Sequence, residues 1–285
     1  MNTRTCVLGL GNMGRALAET LLKTNGALIV WNRTSSKASA LVAAGAQLAR
    51  GPADAIQNSD IAIVCVGTYD DTREMLTNCG DLSGKTLVQL STGTREQAES
   101  LQQWAEARGA QYLDGVIIGY PSDIGRRDAL LLVAGLEPAW NVCSKALLQL
   151  GGASRYVGTN LEAPIALEFA LTGAALMLIM GAIYGARAVE KAGVDLGLLS
   201  ELIPGVAPFL IKSVQRQVDA IVQNRFTEPE AMLGTWQAGI AQFPEAQDTD
   251  IDLLRPVKEV LRRAVDAGYA GEEIAAAIKI LRAPK

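Results

Sequence analysis

Gly9, Gly11 and Gly14 give the spacing G-x-G-x-x-G, a pattern that suits a turn wrapped around a phosphate. The apolar residues Val7 and Leu8 run into it, and a helical pattern over 15–22 runs out. Each glycine has its own physical task. The first permits a tight turn, the second lets backbone approach a pyrophosphate, and the third lets helix and strand pack closely. Asn12 and Met13 lie at the start of the helix expected near 13–24, whose free N–H groups face the anion. An ordinary βα turn can be equally rich in glycine, but the flanking strand and helix favour dinucleotide binding.

The next strand chooses the cofactor. NAD sites usually carry a carboxylate about 20 residues on, which accepts a hydrogen bond from the ribose 2′-OH. Here the strand 28–31 ends in Asn32-Arg33-Thr34-Ser35-Ser36-Lys37, with no carboxylate. Asn32 does not repel a phosphate. Arg33 can stack on adenine and pair with phosphate oxygens, while Thr34 and Lys37 add hydrogen bonds and charge. The same turn also reads as a solvated helix start capped by Ser35 or Ser36, which is compatible with phosphate binding. NADPH is therefore the expected cofactor.

Other strand ends should open on the same crevice, because open α/β sheets bind ligands at the carboxyl ends of their strands. Val66 and Gly67 close the strand 61–66, and Ser91 and Thr92 follow the strand 86–89, within reach of a nicotinamide ribose. The stretch 114–121 is read as a loop after a further strand, leading through Ile118 and Tyr120 to Ser122 and Asp123. Taken singly, each of these residues reads equally well as part of a turn.

Composition removes whole classes of chemistry. The chain of 285 residues has no histidine, which excludes Ser-His and Cys-His nucleophiles and His-liganded metals. Its four cysteines, Cys6, Cys65, Cys79 and Cys143, form no CxxC pair, so no metal is expected and the thiols read as small hydrophobes. A net charge of −4 and 5% aromatic residues argue against a nucleic-acid partner. The uncharged run 169–186 borders on the length of a membrane span. Glu168 and Arg187 close it and small residues dilute it, so a buried or interface helix is expected and no membrane. With no signal-peptide pattern and free thiols, a cytoplasmic location is expected.

The succession GLGNMG, WNRT, VCVGT, STGT and LDGVIIGYPSDIG, followed by a long helix, resembles the β-hydroxyacid dehydrogenase superfamily. Within it, the chain looks most like the NADPH-dependent imine reductases and reductive aminases. The dehydrogenases resemble one another in a lysine at the start of the long helix, with paired asparagines three and four residues on. The matching stretch here, 164–172, has neither, and Glu168 falls at the lysine's place, where imine reductases commonly carry aspartate or tyrosine. The resemblance thus implies reduction of cyclic imines or iminium ions, with Glu168 at the catalytic position. Tyr120, a phenol at a strand-end loop, is the alternative: it can donate a proton or merely pack. Leu176 stands where reductive aminases often have tyrosine. Residues 230–237 look like the family's segment that closes the substrate pocket from a partner subunit. Ile118, Ser122, Asp123, Thr172, Leu176, Phe209, Met232 and Trp236 are the expected pocket residues. Physics agrees with the exchange: a base is needed to oxidise an alcohol, whereas a carboxylate beside an iminium stabilises the cation or passes a proton.

Strands are expected over 5–10, 28–31, 61–66, 86–89, 111–116 and 129–134. Helices are expected near 13–24, 35–44, 52–57, 70–77, 95–108 and 138–148, giving the alternation of a parallel sheet. From residue 164 no strand is expected; apolar residues recur at helical spacing over 253–265, and a last helix covers 272–282. The fold expected is an α/β Rossmann domain over 1–162, an interdomain helix over 163–192 and an all-α domain over 193–285. The resemblance implies a domain-swapped homodimer. Two rival readings stand beside imine reduction: a β-hydroxyacid dehydrogenase-like oxidoreductase, and a non-catalytic NADPH-binding sensor.

Overall fold

The computed structural model describes residues 3–242 and 252–282. Eight strands form one sheet: β1 (Thr5–Leu8), β2 (Ile29–Trp31), β3 (Gln47–Leu48), β4 (Ile61–Val64), β5 (Thr86–Gln89), β6 (Gln111–Ile118), β7 (Leu130–Gly135) and β8 (Arg155–Tyr156). Their order is β3-β2-β1-β4-β5-β6-β7-β8, so the direction of winding reverses between β1 and β4. The central strands are apolar at successive positions because both faces are covered. Val7 packs with Leu17, Leu21, Cys143 and Leu147 on one face. Cys6 and Leu8 turn to the other, against Ile56, Leu76 and Leu101. Those partners lie on α1 (Asn12–Asn25) and α6 (Glu137–Leu150), and on α3 (Pro52–Gln57), α4 (Tyr69–Leu76) and α5 (Arg95–Glu106) respectively.

Four details depart from expectation. The pairing of β6 with β7 is antiparallel, whereas the rest of the sheet is parallel. The connection 119–129 holds only a short 3-10 turn, Pro121–Asp123, and a parallel return needs a crossover of about a dozen residues or more. The strand expected over 111–116 continues to Ile118, so Asp114 lies inside a strand and not in a loop. The two-residue strands β3 and β8 carry too few positions to show an alternation. In place of one helix over 35–44 there is a 3-10 turn, Ser35–Ala38, then α2 (Ser39–Ala43), and Thr34 precedes that turn with no side-chain cap.

The chain divides into two compact units, Met1–Ala175 and Leu176–Lys285. The long helix α7 (Glu162–Lys191) contains the division and buries only Pro164. In the second unit follow α8 (Leu196–Val222), α9 (Leu233–Ala241), α10 (Arg255–Asp266) and α11 (Ile278–Arg282). Ala220, Phe226, Leu233, Leu261 and Ala264 belong to this unit's own core. The last helix is shorter than expected because Glu273 is bridged to Met232 and the turn Ile274–Ala277 is 3-10. Both α7 and α8 are long and apolar enough to cross a membrane. Much of their apolar surface is open: Phe169 is 82% exposed, and Met177, Ile183, Ile203 and Phe209 are exposed as well.

Candidate cofactor and active site

A cleft of about 640 Å³ opens at the carboxyl ends of β1, β2 and β4, beside the point where the winding reverses. Gly9, Gly11, Asn12, Met13 and Gly14 line it, together with Asn32, Arg33, Thr34, Lys37, Val66 and Gly67. The three glycines divide their work as the spacing implies. Gly9 has φ +96°, and a Cβ there would lie 2.2 Å from the Cys65 carbonyl oxygen. A Cβ on Gly14 would lie 2.0 Å from the Gly9 carbonyl oxygen, so this glycine sets how closely α1 approaches the turn. Around Gly11 the space is open, with no atom within 4 Å of a Cβ built there. That residue is the N-cap of α1, and no side chain caps the helix. A bare helix start beside open space fits a pyrophosphate.

Asn32 binds the cleft's two halves together. Its Oδ1 accepts from the Leu10 N–H at 2.8 Å, and its Nδ2 donates to the Thr34 carbonyl at 3.0 Å. Arg33 and Lys37 are exposed beyond it, and neither pairs with a carboxylate among the described residues. Two free cations and no acid at the end of β2 fit a 2′-phosphate.

The cleft has lining that motif spacing does not reveal: Trp31, Pro52, Cys65, Asp71, Glu74 and Met75. Asp71 completes a capping box with Thr68, whose N–H and hydroxyl both donate to its Oδ2. The sequence signal was there, since Thr68 precedes an acid by three positions just before a helix. Cys65 proves to be half-buried at the cleft and not sealed in the core; burial pushes its thiol up to about 11, so it stays protonated and unreactive.

Ser91 and Thr92 do not line the cleft. Ser91 is buried and its hydroxyl accepts from the Val66 N–H at 3.2 Å, steadying the neighbouring strand end. Thr92 is exposed at the tip of the same turn. Glu168 lies in the second turn of α7, past the first-turn position that a helix dipole would favour. It is half-buried, and desolvation raises its carboxyl above the usual range. Asn160 caps the start of this helix, and Arg95 pairs with Glu162 at 2.9 Å, which fixes the helix against α5. Tyr120 is 69% exposed, and its N–H donates to Asp123 Oδ2, so Asp123 is engaged in holding the loop. Ser122 and Thr172 are exposed and Ile118 is half-buried at the end of β6. Leu176, Phe209, Met232 and Trp236 belong to the second unit and are exposed there. In that unit Met232 is bridged to Glu273, and the Leu233 N–H donates to the Glu272 carbonyl at 2.7 Å.

A parallel sheet with a glycine turn at its reversal point defines a dinucleotide-binding Rossmann protein, and residues 4–158 match the family described as the NAD binding domain of 6-phosphogluconate dehydrogenase. Over the whole chain there is 30% identity to an NADPH-dependent reductive aminase of Aspergillus oryzae, covering 100% of this chain and 99% of that protein. Two solved structures are similar throughout. An imine reductase from Myxococcus stipitatus in complex with NADP+ is 29% identical with a TM-score of 0.90, covering 98% of this chain and 100% of the other. A reductive aminase from Aspergillus terreus in complex with NADPH4, cyclohexanone and allyl amine is 29% identical with a TM-score of 0.86, covering 99% and 100%. The chain belongs to this family of NADPH-dependent imine reductases and reductive aminases.

Proposed function

We propose that the protein reduces cyclic imines or iminium ions to amines with NADPH. The observation that carries this reading is Glu168, a half-buried acid with a raised carboxyl at the place where a hydroxyacid dehydrogenase would need a base. Bound in the cleft, NADPH would supply the hydride. The N–H groups at the start of α1 hold the pyrophosphate, and Arg33 and Lys37 attract the 2′-phosphate. Thr92, which is exposed outside the cleft's lining, would meet the nicotinamide half. Glu168 favours the substrate cation and, being protonated to a higher pH than an ordinary glutamate, can pass a proton to a neutral imine. Tyr120 is the second candidate donor.

A panel following NADPH absorbance tests this reading. A five- or six-membered cyclic imine should be turned over, and hydroxyacids with NADP+ should not. Turnover of a hydroxyacid would transfer the chain to the dehydrogenases. Tight NADPH binding with no turnover of any imine would leave a sensor.

The division into a cofactor domain over 1–162, a connecting helix over 163–192 and a helical domain over 193–285 belongs to the same proposal. So does a homodimer in which the open apolar faces of α7 and α8 are covered by a second copy. Exposed residues such as Phe169, Met177 and Ile183 form a surface too apolar to stay in water. Leu176, Phe209, Met232 and Trp236 would then complete the substrate pocket of the assembled enzyme. Light scattering after gel filtration should give twice the chain mass of 30.1 kDa. A stable, active monomer at micromolar dilution would refute the dimer.

A further inference from the structure

Between α4 and the sheet lies a polar cluster that cofactor binding does not use. Asp114, in the middle of β6, is 1% exposed, and no cation pairs with it among the described residues. Two phenols hold it: Tyr69 donates to its Oδ2 at 2.6 Å and Tyr112 to the same oxygen at 2.5 Å. A buried carboxylate without a cation is costly, and an apolar residue would fill the same space more cheaply. Burial lifts its carboxyl to about 6 even though both hydrogen bonds oppose the shift.

Tyr69 is where this cluster meets the site. The Gly93 backbone rests on its ring, since a Cβ on Gly93 would lie 2.2 Å from Cε2 and 2.3 Å from Cδ2. Gly93 belongs to the turn that follows β5, and that turn is held at its other residues too. Ser91 accepts from the Val66 N–H, and Thr94 forms a capping box with Gln97 on α5. Thr92 is exposed. Glu168 is close enough that its charge adds to the burial and Asp114 effects disfavouring ionisation of the Tyr69 hydroxyl. The cluster thus supports the turn that displays Thr92 and lies within electrostatic reach of Glu168.

We propose that Tyr69, fixed by its hydrogen bond to Asp114, is a positioning residue for hydride transfer: it props Gly93 and so sets where Thr92 is presented to the nicotinamide half of NADPH. The proposal rests on the imine-reductase reading. Tyr112 supplies the control, because its hydroxyl makes a matching buried bond to Asp114 while nothing places its ring under the turn.

Tyr69→Phe and Tyr112→Phe are compared using a cyclic imine and NADPH deuterated at the transferred hydrogen. With Tyr69→Phe, which keeps the ring but frees it from Asp114, kcat should fall about tenfold and the isotope effect on kcat should rise, because a misplaced hydride donor makes hydride transfer more rate-limiting. The Kd for NADPH should be unchanged, since Tyr69 itself does not line the cleft. Tyr112→Phe should lose thermal stability to a similar extent with its isotope effect as in the wild type. If both variants lose stability alike and neither alters the isotope effect, Tyr69 is a structural residue and the proposal is overturned. Should Tyr69→Phe fail to fold, Gly93→Ala tests the same contact from the turn, and an isotope effect equal to the wild type's would again overturn it. A wild-type protein with no imine turnover overturns both this proposal and the reading beneath it; an active wild type with unresponsive variants overturns this one alone.

Discussion

Glu168→Gln should turn over a neutral cyclic imine about 10²–10⁴-fold more slowly than the wild type while binding NADPH as tightly. Glutamine keeps the length and shape of the side chain and removes the ionisable proton, so α7 is undisturbed. The defect should depend on pH with a definite sign. Desolvation raises the Glu168 carboxyl, so it remains a proton source above the pH at which an exposed glutamate would be spent. At low pH solvent protonates the imine before it binds, and the wild type's advantage over Glu168→Gln should shrink. A permanently charged N-alkyl iminium needs no proton. If Glu168 delivers one, the variant should reduce that substrate almost normally; if Glu168 only attracts a cation, both substrates should suffer equally. Full activity of Glu168→Gln on neutral imines at alkaline pH would remove Glu168 from the mechanism. Tyr120→Phe, which deletes only a hydroxyl, would then test the other donor.

The second large effect falls on the cofactor. Arg33→Ala should weaken NADPH by roughly 1.5–3 kcal/mol, or about 10–150-fold, and leave NADH nearly unchanged. The difference arises because a hydrogen bond assisted by charge on both partners exists only when the 2′-phosphate is present. Arg33 is exposed and makes no ion pair among the described residues, so no internal partner has to be given up when the phosphate arrives. Titration of the two nicotinamide cofactors against wild type and variant measures this directly. Equal losses for both would show that Arg33 only stacks on the adenine.

How far these residues could be read from sequence depended on whether the constraint is local. Gly9 must adopt a positive φ beneath a strand end, and a demand of that kind is written in the identity of one residue and its neighbours. The same holds for the missing carboxylate after β2 and for the core strands, whose apolar runs reflect burial on both faces. The antiparallel turn into β7 was legible only as a connection too short for a helix. Pro204 and Pro208 hid α8 because each removes a helical hydrogen bond, yet the helix runs through both. Tyr69 and Asp114 are 45 residues apart, and no spacing rule joins a helix's first residue to a strand three connections later. Nor could the sequence place Asp123 on the Tyr120 N–H, which ties down a carboxylate that had looked available to a substrate.

Asn32 carries a lesson for redesign. One side chain fastens both the glycine turn, through Leu10, and the phosphate-facing turn, through Thr34. The most obvious edit toward NADH would be Asn32→Asp, since an acid here is the hallmark of NAD sites. An aspartate could still accept from the Leu10 N–H. Its second oxygen, however, would face the Thr34 carbonyl, acceptor against acceptor, where the amide now donates. The edit that repels the 2′-phosphate would also cut loose the segment carrying Arg33 and Lys37. Cofactor exchange in this scaffold thus touches two turns through one side chain, and a new donor to the Thr34 carbonyl has to be installed with the acid.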